Sequence, residues 1–204
     1  SAISLDALEA YFAPDGPAAF WERQALTKAR VVIGSPPATA RAAAIVTRAA
    51  YGHAWTSQEI EAIRGMRYRM EEGAAKANLK RGPGGVVDIE FVVQALQLVH
   101  GGGNAAVRAT ETLRGLEAIH AAGLVPTARF EFFETAYRVL RAIEGRLRLM
   151  DAAARHEFPQ SVDEQQKLAH LLGYQSPDQL VTDVRELTAR TRREFEASFD
   201  DLAR

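Results

Sequence analysis

Apolar residues recur every three or four positions along this chain, and Gly and Pro cut the pattern into helix-length pieces. Leu5, Leu8 and Tyr11 or Phe12 predict a first helix, capped by Ser4 and closed by Pro14, Asp15 and Gly16. Pro17 opens a second, predicted to run to about Ile33 through Phe20, Trp21, Leu26, Ala29 and Val32. Gly34, Ser35, Pro36 and Pro37 stop it, and an Ala-rich third helix covers about Pro37 to Tyr51. Thr56 and Glu59 have the spacing of a capping box for a fourth, with Ile60, Ile63, Met66 or Arg67, and Met70 inward. Asn104 is read as the cap of a sixth helix, to about Ala122 with Gly123 behind it. Thr127 starts the longest, about Ala128 to Ala154, through Phe130, Phe133, Tyr137, Leu140, Leu147 and Met150. Ser161 with Glu164, and Ser176 with Pro177, open the last two, ending before Gly173 and near Phe199.

The fifth element organises the rest. Asn78 to Gln97 reads NLKRGPGGVVDIEFVVQALQ, the one Gly/Pro cluster that feeds directly into a long apolar run. Of the fourteen residues Val86 to Val99, ten are apolar, and only Asp88, Glu90, Gln94 and Gln97 are polar. An element apolar on nearly every side is a buried one. The expectation is an all-α, multi-helix bundle of about nine helices in a single helical domain, residues 1–204. Residues 1–34 can form an N-terminal helical pair leading into it.

Composition narrows the chemistry. The 204 residues contain no Cys, which excludes disulfides, thiolate catalysis and Cys-based zinc sites and fits a reducing cytosol. Lys plus Arg is 25 against 26 Asp plus Glu, so there is no basic excess for nucleic acid. No apolar run approaches the roughly 20 residues of a membrane span. No signal-peptide pattern opens the chain, and it starts at Ser1 without Met, as an excised piece would. The five His residues show no pair at i+3 or i+4 and no HExxH, and no Ser sits in a nucleophile elbow. No catalytic residue and no metal ligand is assigned.

Asp88 and Glu90, two carboxylates just after Gly84-Gly85, superficially suggest a magnesium site. On a strand they would share a face; on a helix they lie about 200° apart and cannot chelate one ion. The run is too long for a strand, so the helical reading stands. It puts Glu90, Gln94 and Gln97 on one polar stripe and Asp88 on the other side, near the third helical position. A carboxylate there complements the helix dipole and is expected to pair with an Arg. Lys80 and Arg81 precede the glycines; free amides at the following helix start could hold an anion, or the turn could simply be a packing corner. It is not a P-loop, because the Lys comes before the glycines. On the long helix Arg138, Arg141, Arg148 and Arg155 share a stripe, with Glu134 and Glu144 four residues before Arg138 and Arg148.

The string Leu79 to Phe91, LKRGPGGVVDIEF, with Gln94 and Leu98 after it, resembles the helical domain of glutamine synthetase adenylyltransferases. So do Trp21-Glu22-Arg23-Gln24-Ala25-Leu26 with Lys28-Ala29-Arg30, then Ile63-Arg64, Met66-Arg67 and Arg69-Met70-Glu71. Ala136-Tyr137-Arg138, Leu140-Arg141, Ile143-Glu144 and Arg146-Leu147 follow in order, then Leu168-Ala169 and Leu172-Gly173-Tyr174. The resemblance implies a piece of a large cytoplasmic bacterial enzyme with two halves. One half attaches AMP from ATP to a Tyr of glutamine synthetase, and the other removes it by phosphorolysis. Each half pairs a nucleotidyltransferase head with a helical domain, and both respond to PII signal proteins and glutamine. ATP and Mg belong to the parent enzyme; none is expected in this piece, which is expected to be inactive alone. Its partners would be the head of the same polypeptide, glutamine synthetase and the PII signal protein. On that resemblance Lys80 and Arg81 are candidates for the nucleotide phosphate side, and Asp88 and Glu90 for the junction with the head. The Arg-rich Met66 to Met70 segment and the ending after Phe199 lean toward the C-terminal, adenylylating half. Two alternatives stay open: the related helical region of PII uridylyltransferases, and a docking module for glutamine synthetase or PII that never touches nucleotide.

Overall fold

The computed structural model describes residues 3–150 and 156–204. Nine α-helices are present among them. They are α1 (Leu5–Tyr11), α2 (Phe20–Ala25), α3 (Pro36–Tyr51), α4 (Ser57–Glu72), α5 (Val86–His100), α6 (Thr112–Ala121), α7 (Thr127–Met150), α8 (Val162–Leu172) and α9 (Pro177–Leu202). Their ends follow the local chemistry. Ser4 Oγ accepts the Ala7 amide and Ser161 Oγ the Glu164 amide. Thr56 and Glu59 exchange two bonds as a full capping box before α4. At the end of α6, Gly123 adopts φ 72°, and the Leu124 and Gly123 amides return to the Ile119 and His120 carbonyls. Gly173 closes α8 the same way, at φ 78°.

Two predicted helices are shorter than expected. The second stops at Ala25; a 3-10 turn, Leu26–Lys28, follows, and from Ala29, itself extended, the chain is non-helical with a bend at Ile33. Val31-Val32-Ile33 supplies three β-branched side chains in a row, which lose rotamer freedom in a helix. Val32 and Ile33 are 83% and 92% exposed, so no burial offsets that loss. The sixth begins at Thr112 instead of Asn104, which caps only a 3-10 turn, Ala105–Val107. There the buried Gln97 amide group donates to the Val107 and Ala109 carbonyls, each at 2.7 Å, and Arg108 Nε reaches back to the Gly101 carbonyl at 2.6 Å. The Val107 carbonyl also accepts the Ala109 amide at 2.9 Å, a tight-turn bond in place of one from four residues on. For the seventh helix, the predicted continuation to Ala154 and Arg155 lies outside the described residues.

The chain divides into two compact units, and the division falls within α4 and α5. The first comprises residues 1–63, 93–125 and 202–204. In it α1 and α2 pack on α3, whose Ile45, Ala49 and Ala50 are buried. Arg23 ties the loop after α1 to α3 through the Phe12, Ala13 and Ala49 carbonyls. Gln94 accepts from Gln24 at 2.7 Å. The second unit comprises residues 64–92 and 126–201. It holds α7 packed on α8, the inward face of α9 (Leu180, Val184, Thr191, Phe195), and the first half of α5. Val86, Ile89 and Val92 in that half are essentially inaccessible, as its all-round apolar sequence requires. No helix of the described residues is long and apolar enough to cross a membrane.

Candidate functional site

The glycine turn lies wholly in the second unit, and its hydrogen bonds can be counted completely. Asn78 Oδ1 accepts the Lys80 and Arg81 amides at 3.0 and 2.8 Å. The Gly82 amide goes to the Asn78 carbonyl, and those of Gly85 and Asp88 go to Gly82 and Gly85. The Val86 and Val87 amides, at the start of α5, return to the Leu79 and Lys80 carbonyls at 2.9 and 3.0 Å. Gly84 N donates to Asp88 Oδ2 at 2.8 Å. The Leu79 amide reaches the His156 carbonyl, and a bridge between Asn78 and Glu157 pins the entry. Every amide from Leu79 to Asp88 therefore has an acceptor, Pro83 having none to offer. The turn is a closed corner and not an anion nest, since no donor is left to point at a ligand. Any anion contact must come from side chains.

Behind the corner sits a buried charge cluster. Asp88 and Arg67 are both 0% exposed, and Arg67 Nη2 lies 2.6 Å from Asp88 Oδ1. The same nitrogen donates to the Gly82 carbonyl at 2.9 Å. Glu71 lies 3.4 Å from Arg67 Nη1 and is also paired with Arg192. Arg192 Nε approaches Asp88 Oδ2 at 3.3 Å, and Arg192 Nη1 approaches Glu196 at 3.6 Å. Tyr68 donates to Glu196 at 2.6 Å, and burial together with that carboxylate pushes its phenol up to about 12. So α4, α9 and the turn are joined by two guanidinium groups and three carboxylates. Asp88 caps its own helix and pairs with an Arg, as its position predicts, but the partners come from α4 and α9 and not from the Arg stripe of α7.

Burial pushes the Asp88 carboxyl up to about 6, against the pull of Arg67 and the Gly84 amide. In the unfolded chain this carboxyl releases its proton at about pH 4. Between about pH 4 and 6 the folded chain binds more protons than the unfolded one, so this group's contribution to stability falls as pH rises. The expected result is an Asp88 carboxyl carbon that titrates near pH 6 by NMR, and loss of that pH-dependent component in Asp88→Asn. A midpoint near 4 would contradict it.

The other candidates separate cleanly. Glu90 is half-buried and accepts from the Tyr137 hydroxyl at 3.2 Å, so the two carboxylates serve different partners. Lys80 is half-buried and Arg81 exposed. Neither side chain has a hydrogen-bond or ion-pair partner among the described residues. On α7, Glu134 pairs with Arg138 as its spacing predicts. Glu144 is buried and turns instead to Arg141 and His156. No group of three or more His, Cys, Asp or Glu among the described residues is placed to hold one metal ion. Arg67 is the residue whose importance sequence reasoning understated, although its position in the Ile60, Ile63, Arg67, Met70 series is a core position and was its signal. Nothing local marks Arg192, because its role exists only once α9 and α4 meet, whereas Glu71 lies four residues after Arg67 on α4, a spacing that signals an ion pair.

An all-α chain with a locked glycine corner is a helical domain of a known kind. Residues 57–203 match the family model described as GlnD PII-uridylyltransferase, and the chain belongs to that family. Its relatives include the bifunctional glutamine synthetase adenylyltransferase/adenylyl-removing enzyme of Xanthomonas axonopodis pv. citri, 32% identical over 198 residues, which are 95% of this chain and 21% of the relative. The enzyme of the same name from Nitrosococcus oceani is 32% identical over 96% of this chain and 20% of its own length. That from Nitrosomonas europaea is 34% identical over 85% of this chain and 19% of its own. The chain thus spans about a fifth of the length of these curated relatives.

Proposed function

We propose that this chain is the helical domain of an enzyme that transfers AMP from ATP to a tyrosine of glutamine synthetase, or removes it by phosphorolysis. The observation that carries this reading is the similarity to glutamine synthetase adenylyltransferases along 95% of the chain. The domain supports the chemistry and does not perform it. Its carboxylates do not fit a Mg²⁺ site, because Asp88 is engaged by Arg67 and Arg192, and Glu90 by Tyr137. ATP and Mg²⁺ are assigned to a nucleotidyltransferase head of the same polypeptide. PII signal protein is assigned as a regulatory partner, and the cytoplasm as the compartment.

Lys80 and Arg81 are the residues of this chain that meet nucleotide phosphates. Their backbone is fixed by Asn78, and among the described residues their charges have no partner. The fixed backbone places the two side chains on one turn, and a charge-assisted contact to phosphate contributes about 1.5–3 kcal/mol. In the full polypeptide, Lys80→Ala with Arg81→Ala is expected to raise KM for ATP by about tenfold or more on that scale. The melting temperature should stay unchanged, because neither side chain has a partner to lose. An unaltered KM and rate would overturn the assignment.

The name of the matching family supports a second reading, transfer of UMP to a PII protein. Assaying the full polypeptide with labelled ATP and labelled UTP, against glutamine synthetase and PII in turn, separates the two.

A further inference from the structure

The non-helical segment between the 3-10 turn at Leu26–Lys28 and α3 has no role in the helical fold of the first unit. Its ends are fixed: Ala29 has φ −73°, ψ 141°, and Ser35 has φ −64°, ψ 152°, both extended. No hydrogen bond to the main chain of residues 30–34 is made by any described residue. Between its two ends the chain is irregular, with a bend at Ile33, and it offers a row of unpaired N–H and C=O groups about the length of an ordinary β-strand. Its side chains are Arg30, Val31, Val32 and Ile33, then Gly34. Drawn straight as a strand, the segment would turn Val31 and Ile33 one way and Val32 the other. Val32 is 83% exposed and Ile33 92%, so a strand formed here would carry bare apolar surface on both faces. A groove or a helix laid against the segment would cover one face and leave the main chain unpaired. Only membership of a sheet with cover on both sides satisfies both faces and the backbone together. Proteins guard free edges with charge or Pro; here Arg30 is the one charge, and Pro36 and Pro37 come after the run.

We infer that residues 29–34 form a β-strand of a sheet belonging to another domain of the same polypeptide, added by main-chain pairing. The occupant is an edge strand and not a side-chain groove, because the unmet groups are backbone donors and acceptors. It is placed in the same polypeptide because the relatives, which this chain matches almost end to end, are about five times longer. The inference rests on the reading that this chain is one domain of such an enzyme. It makes the segment a covalent and hydrogen-bonded splice between a sheet and the helical domain.

Hydrogen exchange read by mass spectrometry tests it. In the 204-residue chain the amides of residues 30–34 should exchange at the rate of an open chain. In the full polypeptide they should exchange at least about 100-fold more slowly, as paired strand amides do. Val31→Pro and Val32→Pro, made singly in the full polypeptide, should differ, because neighbouring N–H groups of a strand point to opposite sides. At least one should release its neighbours to fast exchange. Rapid exchange in both proteins would overturn the inference, as would indifference of the protected amides to both proline substitutions. Protection in the 204-residue chain that grows with its concentration would assign the strand to a second copy, and would overturn it equally. Measuring AMP transfer on the same samples separates the two readings. An active enzyme with a rapidly exchanging segment refutes the strand alone, and a protected segment in a protein without AMP or UMP transfer refutes the function alone.

Discussion

Replacing Arg67 by Met is expected to lower the free energy of unfolding by about 3–5 kcal/mol, the scale for breaking a buried ion pair from one side. The loss comes less from the attraction removed than from what is stranded. Asp88 would remain 0% exposed with only the Gly84 amide and the 3.3 Å contact to Arg192 Nε to balance it, and the Gly82 carbonyl would lose its donor. Arg67→Lys should recover only part, since one ammonium cannot reproduce the contacts that Arg67 makes to Asp88, Glu71 and Gly82 through two nitrogens. Arg67→Met combined with Asp88→Leu should be less destabilised than the sum of the single variants, because neither charge is then left alone. Urea unfolding followed by helical circular dichroism measures all four corners of this cycle. Additive losses would mean that the two residues act independently, against the geometry.

Gly84→Ala is the second large effect. Gly84 has φ 70°, and a β-carbon built there would lie 1.8 Å from the Thr188 carbonyl oxygen of α9. The collision is with backbone, which cannot rotate away, so either α9 or the turn must move. Moving the turn also disturbs the Gly84 amide bond to Asp88 Oδ2. The expected cost is about 3 kcal/mol or more, combining a left-handed alanine with an overpacked contact. Gly123→Ala is the internal control, with φ 72° and nothing within 4 Å of the added carbon. It should cost only about 1 kcal/mol, the conformational part alone. Equal losses at the two positions would show that close approach to α9 contributes nothing.

These two substitutions act on the same object from opposite sides, and how far that object is legible in sequence differs by component. The corner and the buried helix behind it can be read directly, because Gly-Pro-Gly-Gly must break a helix and Val86 to Val99 has no face to give to water. The position of Asp88 near the start of α5 follows from helical geometry, and with it the separation from Glu90. What cannot be read is which arginine answers Asp88. Arg67 is placed inward by its period, but Arg192 is more than a hundred residues away, and only packing of α9 brings it there. The closed amide count of the turn is likewise invisible, since the spacing of Lys80, Arg81 and the glycines suits an anion nest as well as a corner. The second helix falls short for a different reason. Periodicity alone extends it through Ala29 and Val32, and it is the lack of any core beside Val32 and Ile33 that leaves them out of a helix. The break at residues 108–111 lies where Gln97, a side chain on another helix, holds the Val107 and Ala109 carbonyls, a contact the local sequence does not show.

The resemblance read from the motifs and the named relatives agree on glutamine synthetase adenylyltransferases. The matching family model carries the name of the neighbouring uridylyltransferases, the alternative that the motifs leave open. On the proposed function, this chain holds a cation-bearing corner for a reaction carried out elsewhere in the polypeptide. The most direct measurement is transfer of label from α-labelled ATP to glutamine synthetase, run side by side with the full polypeptide and with the 204-residue chain. The account predicts labelling by the full polypeptide and none by the chain alone, whereas AMP transfer by the 204-residue chain would contradict it.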